Sequence, residues 1–184
     1  MNKKFFKGVW LIIKYGPARV AEWQSQAIYD SLTGIYNRQF FREAGKGEIA
    51  RARRLEKDGI SYPLALIFVD LKKFRDVNNH EGHAAGDESL RRVAAFLRKA
   101  CQRETDIVAR VGGDEFAILL PQTNKAGAQV VVDKIRSAVN ELFSPGGRPI
   151  KLNCGVAEAG EVSLEELISQ ADKEMYQDKQ GLKT

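Results

Sequence analysis

The sequence predicts an α/β fold of the α+β kind, with a central mixed sheet that carries an antiparallel hairpin and is flanked by helices. Three observations predict it. The run LALIFVDL at 64–71 is short, apolar and rich in strand formers, with Pro63 ahead of it and charges behind it, the pattern of a buried central strand. DIVARV and FAILL lie on either side of a Gly-Gly-Asp-Glu turn at 112–115, the pattern of a hairpin. Around these runs, apolar residues recur at helical spacing, and strands and helices alternate from residue 30 onward with no internal repeat.

Each remaining element has its own signal. NRQFFREAGKGEIARARRLEKDG is expected to be helical, although Gly45 and Gly47 weaken its middle. Leu90, Val93, Ala94 and Leu97 mark one face of a helix after the first strand, and Ala128, Val131, Val132, Ile135, Val139 and Leu142 stripe another after the hairpin. IKLNCGVAEA reads as a strand. In the last helix the Ser163 hydroxyl is placed to cap the start, Glu166 completes a capping box, and Leu164, Leu167, Ile168, Ala171 and Met175 form the buried face.

A chain of 184 residues has room for one domain with a sizeable core plus an appendage. We divide it into an N-terminal helical segment, 1–29, serving dimerisation or docking, and a working domain, 30–184. With 43% hydrophobic and 29% charged residues the composition is that of a soluble globular protein. Cys101 and Cys154 stand far apart, which argues against a disulfide framework or a zinc site and for a cytoplasmic setting. The net charge of +5 favours anionic partners. The densest basic clusters, at 51–54 and 91–92, read as solvated helix faces, so no nucleic-acid partner is expected. MNKKFFKGVWLIIKYG has the look of an anchor, but only six residues separate Lys7 from Lys14, against about 20 for a membrane span. Membrane contact is not expected. Val20, Trp23, Ala27 and Ile28 continue at helical spacing and point to protein contact.

Three stretches carry chemistry. Gly112 and Gly113 can take positive φ and allow close backbone approach, and they place Asp114 and Glu115 at a turn; the plainer reading is a solvated hairpin tip. Asp70 is the polar end of an apolar strand. Together with the turn it supplies hard oxygen donors for a divalent cation, whereas alone it reads as a helix cap. In NNHEGHAAGD, 78–87, Gly82 and Gly86 lead tightly into a helix whose free N–H groups suit an anion. Asn78 and Asp87 form a set able to read a guanine edge, the carboxylate accepting from N1–H and the exocyclic amine; as an alternative, Asp87 caps the helix.

RVGGDEFAIL, with DSLTGIYNR at 30–38, VDLKKFRDVNNHEGHAAGD at 69–87 and ADKEMYQDK at 171–179, resembles the GGDEF family of diguanylate cyclases in order and spacing. The resemblance implies the palm-like fold of nucleotidyl cyclases and condensation of two GTP into cyclic di-GMP with release of two pyrophosphates. It implies Mg2+ or Mn2+ held by Asp70, the Leu71 carbonyl, Asp114 and Glu115, with Asp114 or Glu115 as proton acceptor. Phe74, Arg75, Asn78, His83, Asp87, Gly112, Gly113, Lys179 and Lys183 match substrate-binding positions, and Arg103 and Asp106 match an RxxD product-inhibition site; without the family such a pair reads as a surface ion pair. A homodimer is the expected working form, because each chain offers one nucleotide pocket. The sequence departs from the family at Lys72 and Asn79 and in its tail, where Gly181 falls one step early. The alternative function is a receptor that binds cyclic di-GMP or GTP without turnover.

Overall fold

The computed structural model describes residues 27–181. Lys183 and nearly all of the expected N-terminal segment, including Val20 and Trp23, lie outside the described residues. The run 64–71 forms β2 (Leu64–Leu71), buried along its whole length. It follows β1 (Tyr36–Asn37) and α1 (Arg38–Lys57), which tolerates both glycines and is capped by the Asn37 side chain accepting from the Phe40 N–H at 2.9 Å. The hairpin is β3 (Ile107–Arg110) and β4 (Glu115–Pro121); the last strand is β5 (Leu152–Glu158).

The strand order is β1-β3-β4-β2-β5, with β1 and β3 parallel and every other pair antiparallel, so the sheet is mixed as expected. Side chains alternate across it. Leu64, Leu66 and Phe68 face one helical layer, formed by α1 and by α5 (Leu164–Lys179). Ala65, Ile67, Val69 and Leu71 face the other, formed by α3 (His83–Ala100) and α4 (Lys125–Ala138). The Ser163–Glu166 capping box starts α5 as the sequence predicts.

Three expectations need correction. The stripe running to Leu142 is not one helix: α4 stops at Ala138 and a 3-10 turn covers Val139–Glu141. Residues 74–81, to which the sequence assigns no element, form a short helix of their own, α2 (Phe74–Glu81). It has no buried residue, so it carries no apolar stripe to betray it. Gly82, at φ 84°, separates α2 from α3, whereas Gly86 lies inside α3.

α5 approaches the sheet closely because β5 has no side chain beneath it at one point. A Cβ on Gly155 would run into the α5 backbone at Ala171 and Met175. That contact sets the height of the helix over β2, and with it the reach of its last residue, Lys179.

Candidate active site

The turn between β3 and β4 is fastened from below. The backbone N–H groups of Val111 and Gly112 both donate to the Glu115 carbonyl, at 3.0 and 3.3 Å. Arg110 donates through Nε and Nη2 to the Gly113 carbonyl at 3.1 and 2.7 Å, and through Nη1 to the two Asp30 oxygens at 3.2 and 3.4 Å. Asp30 also accepts from the Thr33 N–H and hydroxyl at 2.9 and 2.7 Å. Partial burial works to raise the Asp30 carboxyl, but the Thr33 bonds and Arg110 outweigh it and hold the group below its ordinary value.

Neither glycine of the turn has positive φ, contrary to the expectation. Gly112 is needed for space, since a Cβ there would collide with the Glu115 side chain, while a Cβ on Gly113 would meet nothing.

Register brings the acids together. Asp70 pairs across β2 and β4 with Glu115, and across β2 and β5 with Asn153, so the three side chains form a row on the α1/α5 face. The Asp114 carbonyl accepts from the Leu71 N–H at 3.2 Å, which sets the Asp114 backbone beside Leu71, with its carboxylate near enough to act on Glu115. Asp70 is 6% exposed; its Oδ2 accepts from Asn153 Nδ2 at 3.1 Å and from Lys179 Nζ at 3.0 Å. It caps no helix, because the residue ahead of α2 is Lys73, in the left-handed region at φ 57°.

Burial pushes the Glu115 carboxyl up, and Asp114, Asp172 and Asp70 push it further, against the pull of Arg38. The bond to Asp70 raises the Lys179 ammonium, helped by Asp70, Asp114 and Glu115 and opposed by burial. Among the described residues no three His, Cys, Asp or Glu side chains close into a cage around an ion. The donors nevertheless suit a hard divalent cation in kind: all are oxygens, and like charges already crowd Glu115, a crowding that a cation would relieve.

The nucleotide-reading candidates lie along α2 and the start of α3. Phe74 and Asn78 are half-buried on α2, Arg75 is exposed, and His83 and Asp87 are exposed on the first turns of α3. A Cβ on Gly86 would strike the Asn78 amide oxygen, so that glycine lets Asn78 lie against α3 one residue from Asp87. Asp87 is not the cap of α3. That position belongs to Gly82, and no side chain satisfies the first N–H groups of the helix.

Arg103 and Asp106 are joined in an ion pair at 3.1 Å, with the Arg103 backbone N–H on Asp106 Oδ2 at 3.3 Å. They border a cleft of about 940 Å³ with Tyr29, Asp30, Ser31 and Arg98. The cleft does not include Asp70, Asp114 or Glu115. Sequence reasoning gave no role to Asn153, Asp172, Arg38, Asp30 or Arg110. The usable signal for Asn153 was an amide inside an otherwise apolar strand.

The sequence profile of the family described as diguanylate cyclase, GGDEF domain, matches residues 27–183. The diguanylate cyclase DgcS of Shewanella oneidensis is 37% identical over 159 residues, covering 86% of this chain and 51% of that protein. The diguanylate cyclase DgcP of Pseudomonas aeruginosa is 33% identical over 162 residues, covering 86% of this chain and 23% of that protein. The chain thus spans about half the length, or less, of these relatives. Among solved structures, the isolated GGDEF domain of TpbB (YfiN) from Pseudomonas aeruginosa superposes with a TM-score of 0.73 at 34% identity, covering 83% of this chain and 89% of that one. The coiled coil and GGDEF domain of DgcB from Caulobacter crescentus, in complex with c-di-GMP, shares the fold with a TM-score of 0.81 at 22% identity, covering 97% and 94%. The hairpin that sets Glu115 opposite Asp70 and Asp114 beside Leu71 is therefore the signature turn of a known fold, and the chain belongs to the GGDEF-domain family of diguanylate cyclases.

Proposed function

We propose that the chain condenses two GTP molecules into cyclic di-GMP and two pyrophosphates. The observation that carries this reading is the row formed by Glu115 and Asp70, with Asp114 beside it, at the edge of a helix-covered sheet. Asp70, the Leu71 carbonyl, Asp114 and Glu115 would hold Mg2+ or Mn2+. Bound there, the cation lowers the pKa of a ribose 3′-hydroxyl and offsets charge on the phosphate oxygens.

The chain's own groups do the rest. Asn78 and Asp87 read the guanine edge, with His83 against the nucleotide. The uncapped N–H groups at the start of α3, together with Phe74, Arg75 and the Gly112–Gly113 backbone, receive the phosphates. Lys179, drawn to Asp70 at 3.0 Å, is a cation within reach of the same corner and turns to the phosphates when they arrive. Asp114 or Glu115 accepts the proton of the attacking hydroxyl.

One pocket holds one nucleotide, so two chains must face each other for the 3′-hydroxyl of each GTP to reach the α-phosphorus of the other; the working form is a homodimer. Arg103 and Asp106 bind the product at the cleft and feed back on turnover. The setting is the cytoplasm, where GTP is found, and no helix among the described residues is long and apolar enough to cross a membrane.

Incubation of the purified chain with GTP and Mg2+ or Mn2+ tests the reading. Cyclic di-GMP and pyrophosphate should accumulate, and excess ATP should not compete. Tight GTP or cyclic di-GMP binding with no product would make the chain a receptor instead.

A further inference from the structure

Four polar or charged side chains are buried among the described residues: Asp70, Ser89, Ser144 and Asn153. Ser89 satisfies itself on the Ala85 carbonyl of its own helix, and Ser144 serves a surface loop through Glu81 and Arg148. Asn153 is different. It is 1% exposed near the start of the edge strand β5, under the cover of α5, where a Val or Leu would pack without desolvating an amide, and its Nδ2 reaches Asp70 at 3.1 Å.

We propose that Asn153 is a positioning residue for the reaction, an amide built into β5 to fix the orientation of the Asp70 carboxylate for its cation. This inference rests on the reading of Asp70 as a cation ligand. The donors around Asp70 are unevenly shared. Asn153 and Lys179 both bond Oδ2. Oδ1 accepts from no side chain or backbone group among the described residues, yet it is not sealed away as an unsatisfied buried atom. A carboxylate anchored through one oxygen keeps the other for coordination, as outer donors orient metal-binding carboxylates in general.

Lys179 cannot do this alone. It is 47% exposed on a long side chain, and its charge competes with any cation brought to Asp70. The amide of Asn153 is neutral and sits on a strand in fixed register with Asp70. The next residue of β5 ties down the other donor, because the Cys154 N–H donates at 2.9 Å to Asp178, which also holds Arg136 at 2.7 Å. Two successive residues of one strand thus anchor Asp70 and the helix end that carries Lys179.

The test measures Mn2+ uptake by the full chain, without nucleotide, from the loss of the aqueous Mn2+ electron paramagnetic resonance signal. Wild type is compared with Asn153→Leu, which keeps volume and removes the donor, and with Asn153→Ser and Asn153→Ala, which differ from each other by one hydroxyl. Thermal melts of each establish folding. Leu and Ala should weaken Mn2+ binding about tenfold or more, with Ser staying near wild type. Uptake unchanged in Leu and Ala, or lost in Ser but kept in Leu, would reduce Asn153 to packing and overturn the inference while leaving the cation reading intact. If Leu does not fold, the Ser and Ala pair decides in the same way. No uptake by wild type would overturn both readings together.

Discussion

Arg110 and Asp30 are 80 positions apart, and neither stands out in the sequence except as part of a quoted motif. Folded, they hold the signature turn through the Gly113 carbonyl. Because the Asp30 carboxyl lies below its ordinary value, its contribution to stability is present above the unfolded-chain pKa and is lost as pH falls through the lower folded one. Asp30→Asn should therefore cost about 1 kcal/mol at neutral pH, and the difference from wild type should close in urea melts as the pH is taken down through the acid range. A difference that persists at the lowest pH would mean that Asp30 acts by something other than its charge. Glu115 has the opposite sign. Its carboxyl is raised by burial and like charges, so ionising it weighs against the metal-free fold. Glu115→Gln should raise the metal-free Tm on the order of 1–2 °C and abolish turnover; a lowered Tm would make the acid a structural residue. Asp70 was legible in the sequence because it ends an apolar strand. Asn153 was not, since one amide beside a cysteine in a strand does not reveal what lies opposite until the register is known.

At the level of elements, legibility followed the apolar pattern. β2 and the hairpin are apolar runs, α3 and the capped α5 each bury a regular stripe, and the sequence places them. α2 buries nothing, and it starts from Lys73 in a left-handed conformation that few residues other than glycine adopt, so no periodicity or cap announces it. The close seating of α5 depends on Gly155, whose role is invisible without the helix lying over it. Gly155→Ala puts a methyl group against the α5 backbone. It should cost about 2–3 kcal/mol in a denaturant melt and lower turnover further than stability alone explains, because α5 carries Lys179 away from Asp70 as it lifts. A variant with wild-type stability and turnover would show that the helix seats equally well without that glycine.

Across the whole molecule, the acidic corner and the Arg103–Asp106 cleft are separate places on one sheet-and-helix frame, linked through Asp30, which lines the cleft and holds Arg110. Arg103→Ala should relieve inhibition by added cyclic di-GMP severalfold in initial-rate assays; unchanged inhibition would leave the pair an ordinary ion pair. On the proposed meeting of two pockets, specific activity should fall on dilution through the dimer dissociation constant. Constant specific activity over a hundredfold dilution would contradict the two-chain geometry. The most direct test of the central claim, that Asp70 with Asp114 and Glu115 forms the cation site of the reaction, is the turnover of Asp70→Asn. That variant keeps the side-chain shape and the acceptor facing Lys179. The account predicts GTP binding within a few-fold of wild type and cyclic di-GMP formation lowered about 100-fold or more. Formation at close to the wild-type rate would contradict it.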